Sequence, residues 1–264
     1  MPNLEDLTDR KKAYFIRIGL QMRKALQLHK EAELWERKEG KRDWGNVSEH
    51  CLVEVARTDV FADLLALPDD MKGDLRLAAA LHDFFKKSEK EIVTKGALSW
   101  ESFGTASQEA ALQLQAAGFS EKIIHLTGAT GHEAFIEAER LAGTEILSPE
   151  EVAYLVLHYV DNYTRGSAWA IPAERTPEGK PIKNELERRA EMNEENPRYA
   201  QLNEEGRPHF GGKTTFEAQR CIGNLVEQRL ARLIQERGGL SVEPKDLPEF
   251  VDKEIKKRIQ ARKS

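Results

Sequence analysis

The stretch from Ser148 to Asp161 constrains this chain more than any other. Ser148-Pro149-Glu150-Glu151 carries three helix-start signals in a row. Ser148 can cap, Pro149 sits where a missing N–H costs nothing, and Glu151 can close a capping box. The residues that follow, Val152 to Val160, are apolar at every position but one. A helix that is apolar all round has to be buried on every side, so the remaining chain must be folded around it. That helix then delivers Asp161 to the interior. A buried carboxylate costs several kcal/mol or more unless it is paired or metal-bound.

The rest of the chain reads as helix, with no convincing strand and no internal repeat. Over residues 9 to 38, Phe15, Ile18, Met22, Ala25, Leu26 and His29 recur at spacings of three and four, and Gly40 is a plausible stop. Asn46 with Glu49 suits the start of a helix that runs to about Leu65. Further helices are expected at about 71–87, at 105–117 ending on Gly118, and briefly through Leu126. Residues 172 to 212 hold Pro172, Pro177, Pro181, Pro197 and Pro208 among many charged side chains. They read as a polar, Pro-rich excursion or lid with one charged helix near 184 to 194. Thr214 and Glu217 make another capping box, and Ile222, Leu225, Val226, Leu230, Leu233 and Ile234 form the apolar stripe behind it. A last helix at 247–260 carries Leu247, Val251, Ile255 and Ile259. The expected fold class is all-α. Residues 1–171 form a bundle with an N-terminal helix, and the helices of 213–264 pack back on it.

Composition narrows the partners. With 40 basic against 45 acidic residues, the formal net charge of −5 offers no general attraction to nucleic acid or to an anionic membrane. The basic C-terminal helix, with Lys253, Lys256, Lys257, Arg258, Arg262 and Lys263, reads as a solvated face. It lacks the aromatic interleaving of a single-strand binder, so nucleic acid is not an expected partner. Cys51 and Cys221 cannot make a disulfide framework, and no secretory signal or long apolar span is visible, so the expected compartment is the cytoplasm. Cys51 reads as a small buried thiol.

His82 and Asp83 stand side by side after an apolar run, in LAAALHDFFKK. An imidazole and a carboxylate adjacent in a buried place invite a metal ion. His50, in VSEHCLVEVA, and Asp161 can complete a set of two nitrogens and two oxygens from three helices. Such a set leaves about two positions of an octahedron for water and suits one divalent ion of Mn, Fe, Ni, Co or Mg better than a closed structural zinc site.

The order His50, His82-Asp83, Asp161 over residues 45 to 166 resembles the HD-domain superfamily of metal-dependent phosphohydrolases. That resemblance implies an HD-domain helical bundle with helical extensions at both ends. It also implies hydrolysis of a phosphate ester, of a nucleotide or related small molecule, by metal-bound water. Lys86 matches the lysine of the HD-x-G-K pattern, with Phe85 in place of the glycine. The catalytic glutamate of the deoxynucleotidase type and the Glu-Asp pair of the alarmone hydrolases are replaced by Lys86 and Lys87, so neither subfamily fits. Asp83 and Lys86 are the expected catalytic pair. Lys86, Lys87, His132 and Arg165 are the expected contacts to substrate, and Glu54, His125 and His158 the expected supports behind the ligands.

Competing readings make Lys86 a solvated lysine, His125 a core residue and His132 a helix cap. Dinuclear members of the superfamily need extra histidines. Here Trp100 occupies the position four before Gly104 where one is common, so a single ion is expected. A di-iron oxygenase, or a weakly catalytic binding module that docks a partner through 172–212, are the alternatives. The expected partner is a phosphorylated small molecule, with a homodimer left open.

Overall fold

The helix Val47–Leu64 (α2) buries residues on every side, from Val47 and Cys51 through Val55 to Phe61 and Ala62, and so occupies the centre of the molecule. The computed structural model describes Tyr14 and residues 19–34, 47–86, 88, 89, 91, 98–164 and 185–261. These residues hold eleven α-helices and no strand, an all-α fold. The others are α1 (Leu20–Glu31), α3 (Asp69–Leu81), α4 (Trp100–Ala116), α5 (Glu121–Thr127), α6 (Ala134–Ala142) and α7 (Pro149–Tyr163). Beyond these come α8 (Glu185–Glu194), α9 (Ala200–Glu205), α10 (Thr215–Gly238) and α11 (Leu247–Ala261).

Helix α7 is the second central rod. Ser148 accepts from the Glu151 amide while Glu151 accepts from the Ser148 amide, and every residue from Val152 to Tyr163 is buried. It packs against α2 and α3 on one side and α6, α8 and α10 on the others. The α10 capping box of Thr214 and Glu217 is also present, and Gly118 and Gly239 take the left-handed backbone (φ 78° and 66°) just after α4 and α10.

Several boundaries differ from the sequence expectation. The helix expected over 9–38 ends at Glu31, with Ala32 as its cap and Glu33 at positive φ, and the helix expected from 105 starts at Trp100. The helix expected over 71–87 stops at Leu81, with His82 as its C-terminal cap and Asp83 in the turn beyond. Much of the stretch expected as an excursion or lid is packed structure. Residues 185–212 carry α8, a 3₁₀ turn at Pro197–Tyr199 and α9, and they place Leu186, Ala190, Leu202 and Phe210 in buried positions. Residues 172–184 lie outside the described residues, as do Phe15, Ile18, Gly40, Asn46, Arg262 and Lys263. Two basic residues of α11 pair locally, Lys253 with Glu249 at 2.9 Å and Lys257 with Glu254, while Arg258 meets Asp63 of α2 at 2.8 Å.

One buried ion pair ties the C-terminal helix to the two rods. Arg57 of α2 has no exposed surface. It donates from Nε and Nη2 to both oxygens of Asp252 on α11, at 3.1 and 3.2 Å, and from Nη1 to Thr164 Oγ1 at 2.7 Å. Its guanidinium also lies 4.8 Å from the Tyr163 ring centre. Replacing Asp252 by alanine strands a buried cation. Asp252→Ala is expected to lower unfolding stability by about 3–5 kcal/mol, measured by denaturant titration, whereas the double variant Arg57→Met/Asp252→Leu should recover much of that loss.

Candidate metal centre

Three segments converge at one point. Helix α2 supplies His50 and, one turn later, Glu54; the end of α3 supplies His82 and Asp83; and the last turn of α7 supplies Asp161. His50, Glu54, His82 and Asp161 are buried and offer ligand atoms that all lie within 4.8 Å of one another, a group that could hold a metal ion. His50 Nε2 is 2.9 Å from Glu54 Oε1, 3.6 Å from Asp83 Oδ2 and 3.8 Å from Asp161 Oδ1. His82 Nε2 is 3.4 Å from Glu54 Oε2, 3.7 Å from Asp83 Oδ2 and 3.8 Å from Asp161 Oδ1. Atoms held about 2.1 Å from one ion are about 3.0 Å apart at right angles and about 3.4 Å apart at tetrahedral angles. The spacings are close to what a shared cation needs.

The hydrogen bonding around His82 points the same way. Its Nδ1 is 2.8 Å from the Ala79 carbonyl, which only accepts, so the ring proton sits there. Its Nε2 is buried, makes no hydrogen bond and faces three carboxylates. Both oxygens of the fully buried Glu54 also lack a hydrogen bond, although His50 Nε2 comes within 2.9 Å of one of them. Orphaned acceptors gathered this tightly need a positive charge between them.

A proton on His50 answers part of the same field. Burial works against charging that ring, but Glu54, then Asp161 and Asp83, outweigh it and raise its pKa to about 10. Asp161 is opposed by burial too. Arg189, with His50 and His82 behind it, holds it well below the ordinary carboxylate range. For Asp83, burial is overcome by Lys86 and then the two histidines, and its pKa is lowered.

The end of α3 at Leu81 has a use here. On a continuing helix, neighbours diverge by about 100°, so His82 and Asp83 would have flanked the ion from opposite sides. In the turn, His82 Nε2 and Asp83 Oδ2 lie 3.7 Å apart. Glu54, expected as a support behind a ligand imidazole, stands inside the cluster. Lys86 lies 3.4 Å from Asp83 Oδ1 and donates to Glu89 Oε2 at 2.7 Å, so it neutralises the outer oxygen of Asp83 and a buried glutamate the sequence had not singled out.

Other expected contacts stand elsewhere. His125 is exposed, its ring 5.5 Å from Tyr154. His158 is buried, with Nδ1 2.8 Å from the Ala129 carbonyl and Nε2 3.2 Å from Asn162 Nδ2. It therefore holds α7 to the turn after α5 and does not back Asp161. His132 is buried between the rings of Trp100 and Phe103, at 4.2 and 4.7 Å. Lys87 and Arg165 lie outside the described residues.

Arg189 of α8 was not anticipated. It donates from Nη1 to the carbonyls of Asp161 and Thr164 and approaches Asp161 Oδ1 from Nη2 at 3.4 Å. It thus caps the C-terminal carbonyls of α7 and supports the carboxylate at that end. Its only signal in the sequence was a basic residue within a charged helix. His29 was read as part of an apolar stripe, yet it is fully buried, with Nδ1 3.0 Å from Ser48 Oγ and Nε2 2.7 Å from the Ala80 carbonyl.

Comparison with known protein families, with curated proteins and with solved structures finds no match. No helix among the described residues is long and apolar enough to cross a membrane.

Because the ion and the His50 proton compete for one nitrogen, affinity for divalent ions should rise as pH increases through neutrality towards about 10, followed by calorimetric titration. Removing the largest charge that holds this proton, by Glu54→Gln, should lower the His50 pKa in the metal-free protein, read by NMR titration. The same variant should weaken metal binding by about 10–100-fold.

Proposed function

We propose that the chain is a metal-dependent phosphohydrolase of the HD-domain type, acting on a phosphate ester of a small molecule in a reducing, cytoplasmic setting. The observation that supports this reading is that His50 and His82 each lie 3.6–3.8 Å from Asp83 and from Asp161, the four residues coming from three separate stretches of chain. The donor set of imidazole and carboxylate suits Mn, Fe, Co, Ni or Mg. When bound, such an ion acidifies a water and offsets charge on a phosphoryl oxygen.

The protein's own groups divide the remaining work. His82 is held by the Ala79 carbonyl with Nε2 free to ligate. Glu54 lies close enough to His50 and His82 to ligate the same ion. Lys86 sits on the outer oxygen of Asp83 and Arg189 on Asp161, so each aspartate has a cation beside it. These two cations also favour an anionic substrate. One ion is preferred over a di-iron centre, because His125 is exposed and His132 is packed between aromatic rings. The absence of a disulfide at Cys51 and Cys221 suits the reducing compartment.

The test is elemental analysis of the purified protein together with a screen of phosphomonoesters and phosphodiesters in Mn, Fe, Co, Ni and Mg. Turnover is expected to fall at least 100-fold in Asp83→Ala and in Asp161→Asn, and Lys86→Ala should raise KM more than it lowers kcat. Hydrolysis that survives Asp83→Ala would place the activity elsewhere.

A further inference from the structure

A partly enclosed cavity of about 130 Å³ is lined in part by His82. Its walls are Leu81 and His82 from α3, Phe103 and the small residues Ser107, Ala110 and Ala111 from α4, and the segment from Thr127 to Glu133. Most of this lining is apolar, and its hydroxyls are already committed. Ser107 donates to the Phe103 carbonyl at 3.2 Å, Thr127 to the Ile124 carbonyl at 2.6 Å and Thr130 to the Thr127 carbonyl at 3.4 Å. Glu133 is exposed. His82 uses Nδ1 on Ala79 and turns Nε2 to the metal cluster.

His132 is the exception. It is 6% exposed, and neither ring nitrogen makes a hydrogen bond, although the Trp100 carbonyl is near enough to favour a proton weakly. Burial nevertheless keeps the ring neutral, lowering its pKa to about 4. A neutral imidazole offers one donor and one acceptor. An orphaned polar group in an otherwise satisfied apolar wall is what a ligand with a single polar edge would complete.

The size is restrictive. An apolar cavity of about 150 Å³ accommodates benzene, so one ring fits here and two fused rings do not. We propose that this cavity receives a small molecule as a single neutral ring bearing one hydrogen-bonding group, which meets His132. This ring site does not depend on the metal or on the hydrolase reading.

The experiment uses the full chain, with and without Mn, and three probes followed by ligand-observed NMR: phenol, toluene and 2-naphthol. Phenol is expected to bind at least fivefold more tightly than toluene and at least tenfold more tightly than 2-naphthol, with or without metal. Ala111→Leu fills the cavity from α4 and should weaken phenol binding at least tenfold. Ser107→Leu gives the same answer from a neighbouring position should the first variant be unstable, as judged by its melting temperature. His132→Phe keeps a ring of similar size and should erase the preference for phenol over toluene. Absence of phenol binding, equal binding of 2-naphthol, or indifference to both filling variants would overturn the proposal. Hydrolysis without ring binding sinks this inference alone, and ring binding without metal-dependent hydrolysis sinks the phosphohydrolase reading alone.

Discussion

The organising constraint of this molecule is the mutual repulsion of buried carboxylates. Glu54 and Asp161 offer oxygens within 4.8 Å of each other, and Asp83 approaches the same two imidazoles. At an effective dielectric of about 20, like charges 4–5 Å apart repel by about 3–4 kcal/mol. Nothing in the apolar packing around α2 and α7 offsets that. The compensation is electrostatic and local. A raised His50 pKa, Lys86 against Asp83 and Arg189 against Asp161 all supply positive charge, and the unpaired Nε2 of His82 faces the same carboxylates. The surrounding helices can be understood as the scaffold that makes so unfavourable a grouping tolerable.

That scaffold is rigid where it has to be. The two central rods are buried on all sides, so their ligands cannot drift without disturbing the core. Arg57 sits one turn beyond Glu54 and fastens α2 to Thr164, three residues past Asp161, and to Asp252. The electrostatic burden of the cluster and the ion pair beneath it therefore share the same backbone segments.

How much of this could be seen in the sequence depended on whether the signal was local. The capping boxes at Ser148 and Thr214 involve residues three apart, and both are present. The apolar run Val152–Val160 dictated a buried helix, and the structure buries all of it. The termination of α3 at Leu81 was hidden, because HDFFKK has no glycine or proline to announce it. Arg189 was hidden for another reason. It meets Asp161 across 28 positions, and only the docking of α8 on α7 brings them together. Glu54 was visible as a neighbour of His50, but its place within the cluster depends on rotation about α2 that periodicity does not report. His132 was noticed for its chemistry, and its enclosure by Trp100 and Phe103 depends on how α4 lies against the segment after α5.

The buried contacts of His29 carry a consequence for the chain's N-terminal part. This imidazole meets the Ser48 hydroxyl, two residues before His50, and the Ala80 carbonyl, two residues before His82. Helix α1 contributes no ligand, yet it acts as a brace between the two strips of main chain that carry the histidines. A helix outside the cluster thus touches both segments that carry its histidines, so alterations along that brace bear on the spacing between them.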